Sequence, residues 1–168
     1  MKLSDTQVER LRALTYEDYV DELPENEWEA HRTQLLSEVS DAYELHAFAE
    51  NYNWDGGIEE LEWVISNPLC DKATALMIYG LGSPSYYYRK EEKGKEFQEY
   101  EIADWAFLKS IERRISNGEF KEGKIAYDPS DFHGIEVFKI NSANPGNKLV
   151  PEYMKVSTNG EAIENSTI

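Results

Sequence analysis

The chain has 168 residues, with 33 Asp and Glu against 17 Lys and Arg, a formal net charge of −16 at pH 7. This balance argues against nucleic acid or an anionic membrane as the direct ligand, because both are held by Lys and Arg that neutralise phosphate. An apolar content of 40%, including 4 Trp, 11 Tyr and 6 Phe, provides enough core-forming area to argue against disorder of the whole chain.

In chain order, Ser4 and Gln7 form a capping-box pattern, and Val8, Leu11 and Leu14 follow at helical spacing. A second short helical stretch from Tyr16 to Leu23 is stopped by Pro24. Asn26 is placed to cap a third helix, in which Trp28, Leu35, Leu36 and Val39 supply apolar positions. Asp41 caps a fourth through Tyr43, Leu45, Phe48 and Ala49, ending near Asn51. Asn53-Trp54-Asp55-Gly56-Gly57 is turn chemistry, with two glycines free to take positive φ. A fifth helix follows with Ile58, Leu61, Glu62 and Ile65 on one stripe, closing at Asn67-Pro68. Asp71 caps a sixth, Lys72 to Leu81, whose small residues allow close packing.

From Gly82 to Lys95 the pattern reads as a loop that holds the aromatic run Tyr86-Tyr87-Tyr88 and then mixed charge. It leads into the longest helix, Phe97 to Ser116, with Ile102, Trp105, Leu108, Ile111, Glu112 and Ile115 as the buried stripe. Beyond it, Ile125-Ala126-Tyr127-Asp128-Pro129 ends in a turn. Ile135 to Ile140 alternates with period 2, and strand and irregular structure stay equally open there, since a lone strand is marginal. The expectation is a mainly α, single-domain helical array or bundle of about six to eight helices over 1–160, with an irregular C-terminal region and a frayed tail over 161–168.

Charge is unevenly placed. Residues 1–88 hold 18 acids and 5 bases, a net of −13, and the remainder hold 15 and 12, a net of −3. Such a concentrated field steers a basic partner and raises association rates by roughly 10- to 1000-fold. Between Glu17 and Glu29 the seven acids Glu17, Asp18, Asp21, Glu22, Glu25, Glu27 and Glu29 occur with no base. A solvated helix face is the ordinary reading of such a run. Here Tyr16, Tyr19 and Trp28 interleave it, and Tyr and Trp anchor protein interfaces. Glu17, Asp18, Tyr19, Asp21, Glu22, Glu25 and Glu29 are therefore candidate partner contacts. Tyr86, Tyr87 and Tyr88 form a second candidate surface, with packing under a long loop as the alternative.

Catalytic and metal chemistry find little support. No Gly-x-Ser-x-Gly segment occurs, and Cys70, the only cysteine, reads better as a packing residue than as a nucleophile. His46 and Glu50 stand one helical turn apart, but two ligands do not make a metal site. Gly80-Leu81-Gly82 follows a helix instead of opening one, so it is no phosphate loop. The longest apolar stretch, Ala75 to Tyr79, is far short of the roughly 20 residues a membrane helix needs. Met1 to Asp5 is not followed by the apolar run of a secretory signal. The expectation is a cytoplasmic protein without cofactor or metal.

The segments Leu45-His46-x-x-Ala49-x-x-Tyr52-Asn53-Trp54-Asp55-Gly56 and Ile65-x-x-Pro68-x-Cys70-Asp71-x-x-Thr74-Ala75-Leu76 stand close together. With Ile125 to Pro129 and Val150 to Met154, they resemble a bacterial family of small proteins grouped as a domain of unknown function. Such proteins occur among the proposed immunity proteins of polymorphic toxin and contact-dependent inhibition systems. The resemblance implies a toxin-neutralising role and brings no catalytic residues with it. The motif residues Asn53, Trp54, Asp55, Gly56, Pro68, Cys70 and Asp71 also have a structural reading. Asn53 and Asp55 bond backbone amides in a turn, Trp54 plugs the core, Gly56 permits the reversal, Pro68 ends a helix and Asp71 caps one.

Together these readings lead to an immunity protein that covers the active site of a cognate basic toxin C-terminal domain, most naturally a nuclease. The other class in view is a general acidic binding or scaffold protein with no toxin partner. An enzyme comes third and needs a hidden pocket around His46, Cys70 and Asp71.

Overall fold

The computed structural model describes residues 1–15, 24–164 and 166. Within them the chain runs through seven α-helices: α1 (Asp5–Thr15), α2 (Glu25–Ser37), α3 (Ala42–Glu50), α4 (Glu59–Ser66), α5 (Lys72–Leu81), α6 (Pro84–Glu92) and α7 (Glu99–Ser116). Short 3₁₀ turns lie between α3 and α4 at Trp54–Gly56 and, after α7, at Pro145–Leu149 and Glu152–Met154. The described residues form isolated β-bridges and no sheet, so the chain is mainly α, built around one hydrophobic cluster.

Capping chemistry sets the helix starts. Ser4 and Gln7 exchange side-chain to backbone bonds ahead of α1. Asp41 accepts from the amides of Tyr43 and Glu44 at the start of α3, and Asp71 accepts from the Thr74 amide at the start of α5. Helix α5 has a single charged residue, Lys72, and is apolar nearly all round, so it lies at the centre. Ala73 through Gly80 are all buried, and α3, α4 and α7 pack against it. Helix α1 joins through α3, where Arg10 reaches the fully buried Glu44 at 2.6 Å.

Helix α6 replaces the predicted loop over 82–95. Ser83 takes φ +55°, and Pro84 then sits at the first helical position, where its missing N–H costs nothing. The tyrosine run is what buries this helix. Tyr87 stacks on Trp105 of α7 with centroids 5.4 Å apart and planes 6° apart, and Tyr88 meets the same indole edge-on at 4.9 Å.

Other expectations shift. Helix α2 starts two residues earlier than an Asn26 cap requires: Pro24 stands at the cap position and accepts from the amides of Glu27 and Trp28. Ile102 is 58% exposed and Glu62 is also exposed, so α7 buries Trp105, Phe107, Leu108 and Ile111, and α4 buries Leu61, Val64 and Ile65. Residues 135–140 form no strand. Ile135 closes a tight turn with Phe132, and only Phe138 of that run is buried. The tail predicted to fray is tied down where described. Ala126 donates to Glu161 O, Glu161 donates to Lys124 O, and Glu164 donates to Met1 O. The helical stretch expected over 16–23 lies outside the described residues.

Candidate protein-binding groove

The turn between α3 and α4 builds one wall of a groove. Asn53 Oδ1 accepts from the Asp55 amide at 3.1 Å, closing the Asx turn expected there. The reversal is made by Gly57, at φ +94°, and not by Gly56. Among the described residues, the Asp55 carboxylate bonds no backbone amide. It is exposed and has no ion-pair partner among the described residues. Trp54 is half-buried, in edge contact with Phe107 of α7 at 6.5 Å and close against Gly82.

Across from this turn stand the start of α6 and the first turns of α7. Tyr86, Tyr87, Tyr100 and Asp104 complete, with Trp54 and Asp55, the lining of a groove of about 500 Å³. Tyr100 is 68% exposed and Tyr86 51% exposed, and the Lys90 ammonium stands 5.6 Å from the Tyr86 ring centroid. Asp104 accepts from the Tyr87 hydroxyl at 3.1 Å and, like Asp55, has no cation beside it. Among the described residues, no Lys or Arg lines the groove. Aromatic faces with unpaired carboxylates suit a guanidinium or ammonium, which gains from both.

Tyr86 marks the boundary of this surface. On its other side Arg89, Lys90, Lys93 and Lys95 line a cavity of about 440 Å³. Lys90 is committed to Glu101, which also accepts from Tyr86 and from the Gln98 amide. The Lys90 ammonium, then Tyr86, hold the Glu101 carboxyl down at about 2.

The sequence-derived candidates fall unevenly on this geometry. Tyr86 faces solvent, Tyr87 is buried, and Tyr88 is half-buried with its hydroxyl on Glu112, so the three tyrosines are not one contact surface. Glu17, Asp18, Tyr19, Asp21 and Glu22 lie outside the described residues. Glu25 opens α2. Glu29 is exposed on the same helix, whereas Trp28 is buried and is no interface anchor. Trp54 and Asp55, read as turn residues, prove to be the groove's wall. Tyr100 and Asp104 carry no sequence signal of their own, and their role depends on α7 crossing near the turn.

The remaining motif residues are structural. Pro68 follows the last turn of α4 in a bend where Cys70 donates to Asn67 O. Cys70 is buried, and burial, followed by the Asp71 charge, pushes its thiol up to about 12, so it carries no thiolate. Asp71 Oδ1 accepts from both the amide and the hydroxyl of Thr74, and that hydroxyl meets His46 Nδ1 at 2.9 Å. Among the described residues, no helix is long and apolar enough to cross a membrane. No curated protein and no solved structure matches the chain. Residues 40–116, the span that contains α3 through α7 and every wall of the groove, match the family described as a domain of unknown function (DUF4274).

Proposed function

We propose that this protein is an acidic binding protein that neutralises a basic partner, an immunity protein acting in the cytoplasm against a cognate toxin domain. The groove carries this reading: aromatic faces and two unpaired carboxylates, with no cation in its lining, on a chain of net charge −16. A nuclease domain fits as the partner because its active cleft binds polyphosphate and is therefore positive. Charge accounts for fast encounter, and a partner Arg or Lys seated between Trp54, Tyr100 and Asp55 accounts for slow release. The toxin component of the proposal comes from the resemblance of the Tyr52-to-Gly56 and Pro68-to-Leu76 segments.

The test is co-expression with the C-terminal domain of a toxin encoded beside this protein. Co-purification as a stable complex, with survival of cells that otherwise die, supports the reading. A toxin domain that neither co-purifies nor is neutralised refutes it.

A further inference from the structure

Another cavity, of about 250 Å³, lies on a different part of the molecule, between the end of α3 and the 125–133 segment. His46 and Glu50 of α3 line it, together with Asp128, Asp131, Phe132 and His133. Again no Lys or Arg is among the lining residues.

His46 is the unusual member. It is only 4% exposed, and its Nδ1 is committed to Thr74 Oγ1. The Thr74 hydroxyl donates to Asp71 Oδ1, so it accepts from His46 Nδ1–H, which fixes the tautomer. Nε2 is left as an acceptor with no partner among the described residues. The His46 side chain lines the cavity. Burial, and then the neighbouring His133, lower the imidazole to about 4, so the ring is neutral at pH 7 and Nε2 keeps its lone pair.

The rim is anionic. Asp128 Oδ1 accepts from the Ser130 amide, the Ser130 hydroxyl and the Ser157 hydroxyl, led by Ser130 in holding the carboxyl below its usual range. Asp131 Oδ1 accepts from the Gly134 amide. Among the described residues, the other oxygen of each carboxylate has no partner. His133 and Gly134 both take positive φ, +50° and +79°, forming a tight turn between Phe132 and Ile135. That turn sets the His133 Nε2 against Glu50 Oε1 at the cavity mouth.

We propose that this cavity binds a small ligand bearing a primary ammonium group, which donates to His46 Nε2 while Glu50, Asp128 and Asp131 balance its charge. A buried lone pair facing a cavity calls for a donor, an acidic rim calls for a cation, and an ammonium is both. The volume admits a short alkyl chain against Phe132. The ammonium belongs either to a free amine or to the lysine side chain of a protein. The site is separate from the groove and does not depend on the toxin reading.

The experiment is calorimetric titration of the purified full chain, with no partner present, using putrescine, n-butanol and Nα-acetyl-lysine amide. Putrescine saturates a single site with Kd at or below about 1 mM, the weak end expected for so small a ligand, and n-butanol does not bind. His46→Phe weakens putrescine roughly 10- to 100-fold through loss of a charge-assisted bond. Asp131→Asn keeps the acceptor for Gly134 and weakens binding roughly two- to five-fold. Should His46→Phe fail to fold, Asp131→Asn together with Asp128→Asn decides the matter. Binding of the lysine amide as well identifies a protein side chain as an acceptable source, and its failure restricts the site to free amines. Absence of saturable putrescine binding, equal binding of n-butanol, or unchanged affinity in these variants overturns the proposal.

Discussion

Asp71 illustrates how one carboxylate ties three parts of the fold together. Its Oδ1 caps α5 and meets Thr74, and its Oδ2 is buried under the segment that follows α7. Gly123 crosses so close that a Cβ built there lies 1.7 Å from Asp71 Oδ2. Gly123→Ala should therefore cost about 2 to 4 kcal/mol, combining overpacking with a disturbed cap. Thermal melting checks it, and an unchanged midpoint shows that the crossing yields freely. His46, at the other end of the same chain of bonds, gives the fold an acid sensitivity. Its folded value is lowered from 6.5 to about 4, so the unfolded chain takes up the proton first. The associated stability is complete above pH 6.5 and is lost as pH falls towards about 4, a difference of about 3 kcal/mol. Denaturant titrations between those pH values should show this slope in the wild type and a shallower one in His46→Phe. Parallel slopes refute the assignment.

Between elements, the join of α6 and α7 rests on Glu112. This carboxylate is 4% exposed and accepts from Tyr79 of α5 at 2.5 Å, from Tyr88 of α6 at 2.6 Å and from Lys109 of its own helix. Glu112→Leu leaves the Tyr79 hydroxyl buried without a partner and should cost about 2 to 4 kcal/mol. Adding Tyr79→Phe should restore part of that loss, because the double change removes both partners of one bond. A double variant whose cost equals the sum of the single ones shows that the bond contributes no coupling. The same region shows where the sequence is legible. Helices α1, α3 and α5 are readable because Ser4, Asp41 and Asp71 are local start signals next to an apolar pattern. Helix α6 is not, because Ser83-Pro84-Ser85 reads equally as a break, and the rings that bury its tyrosines arrive with Phe97 and Trp105. Ile102 misleads for the opposite reason: it sits at helical spacing where no element covers it. The groove was half-visible. Trp54 and Asp55 stand out as a motif, but the structural reading hid their exposure, and only tertiary contact brings Tyr100 and Asp104 beside them.

For the whole molecule, field and contact separate into two measurable effects. The net charge of −16 acts at long range and is screened beyond about 8 Å at physiological ionic strength, so it governs encounter. In the proposed complex the groove would act only at contact and so govern release. If the proposed basic partner uses both, its association rate should fall steeply with salt while its dissociation rate changes little. Asp55→Lys with Tyr100→Ala should then raise the dissociation rate by roughly 10- to 100-fold, the loss of one charged and one aromatic anchor. Both side chains are exposed, so the melting temperature should stay close to that of the wild type. Glu27→Lys with Glu29→Lys, on the exposed part of α2, makes the opposing comparison. It changes the net charge by 4, against 2 for Asp55→Lys alone, taken from the residue charges. If steering dominates, the α2 pair slows association more than the groove pair does and leaves dissociation alone. If α2 instead raises the dissociation rate while the groove pair does not, the contact surface belongs to the acidic run and the groove is not where the partner sits.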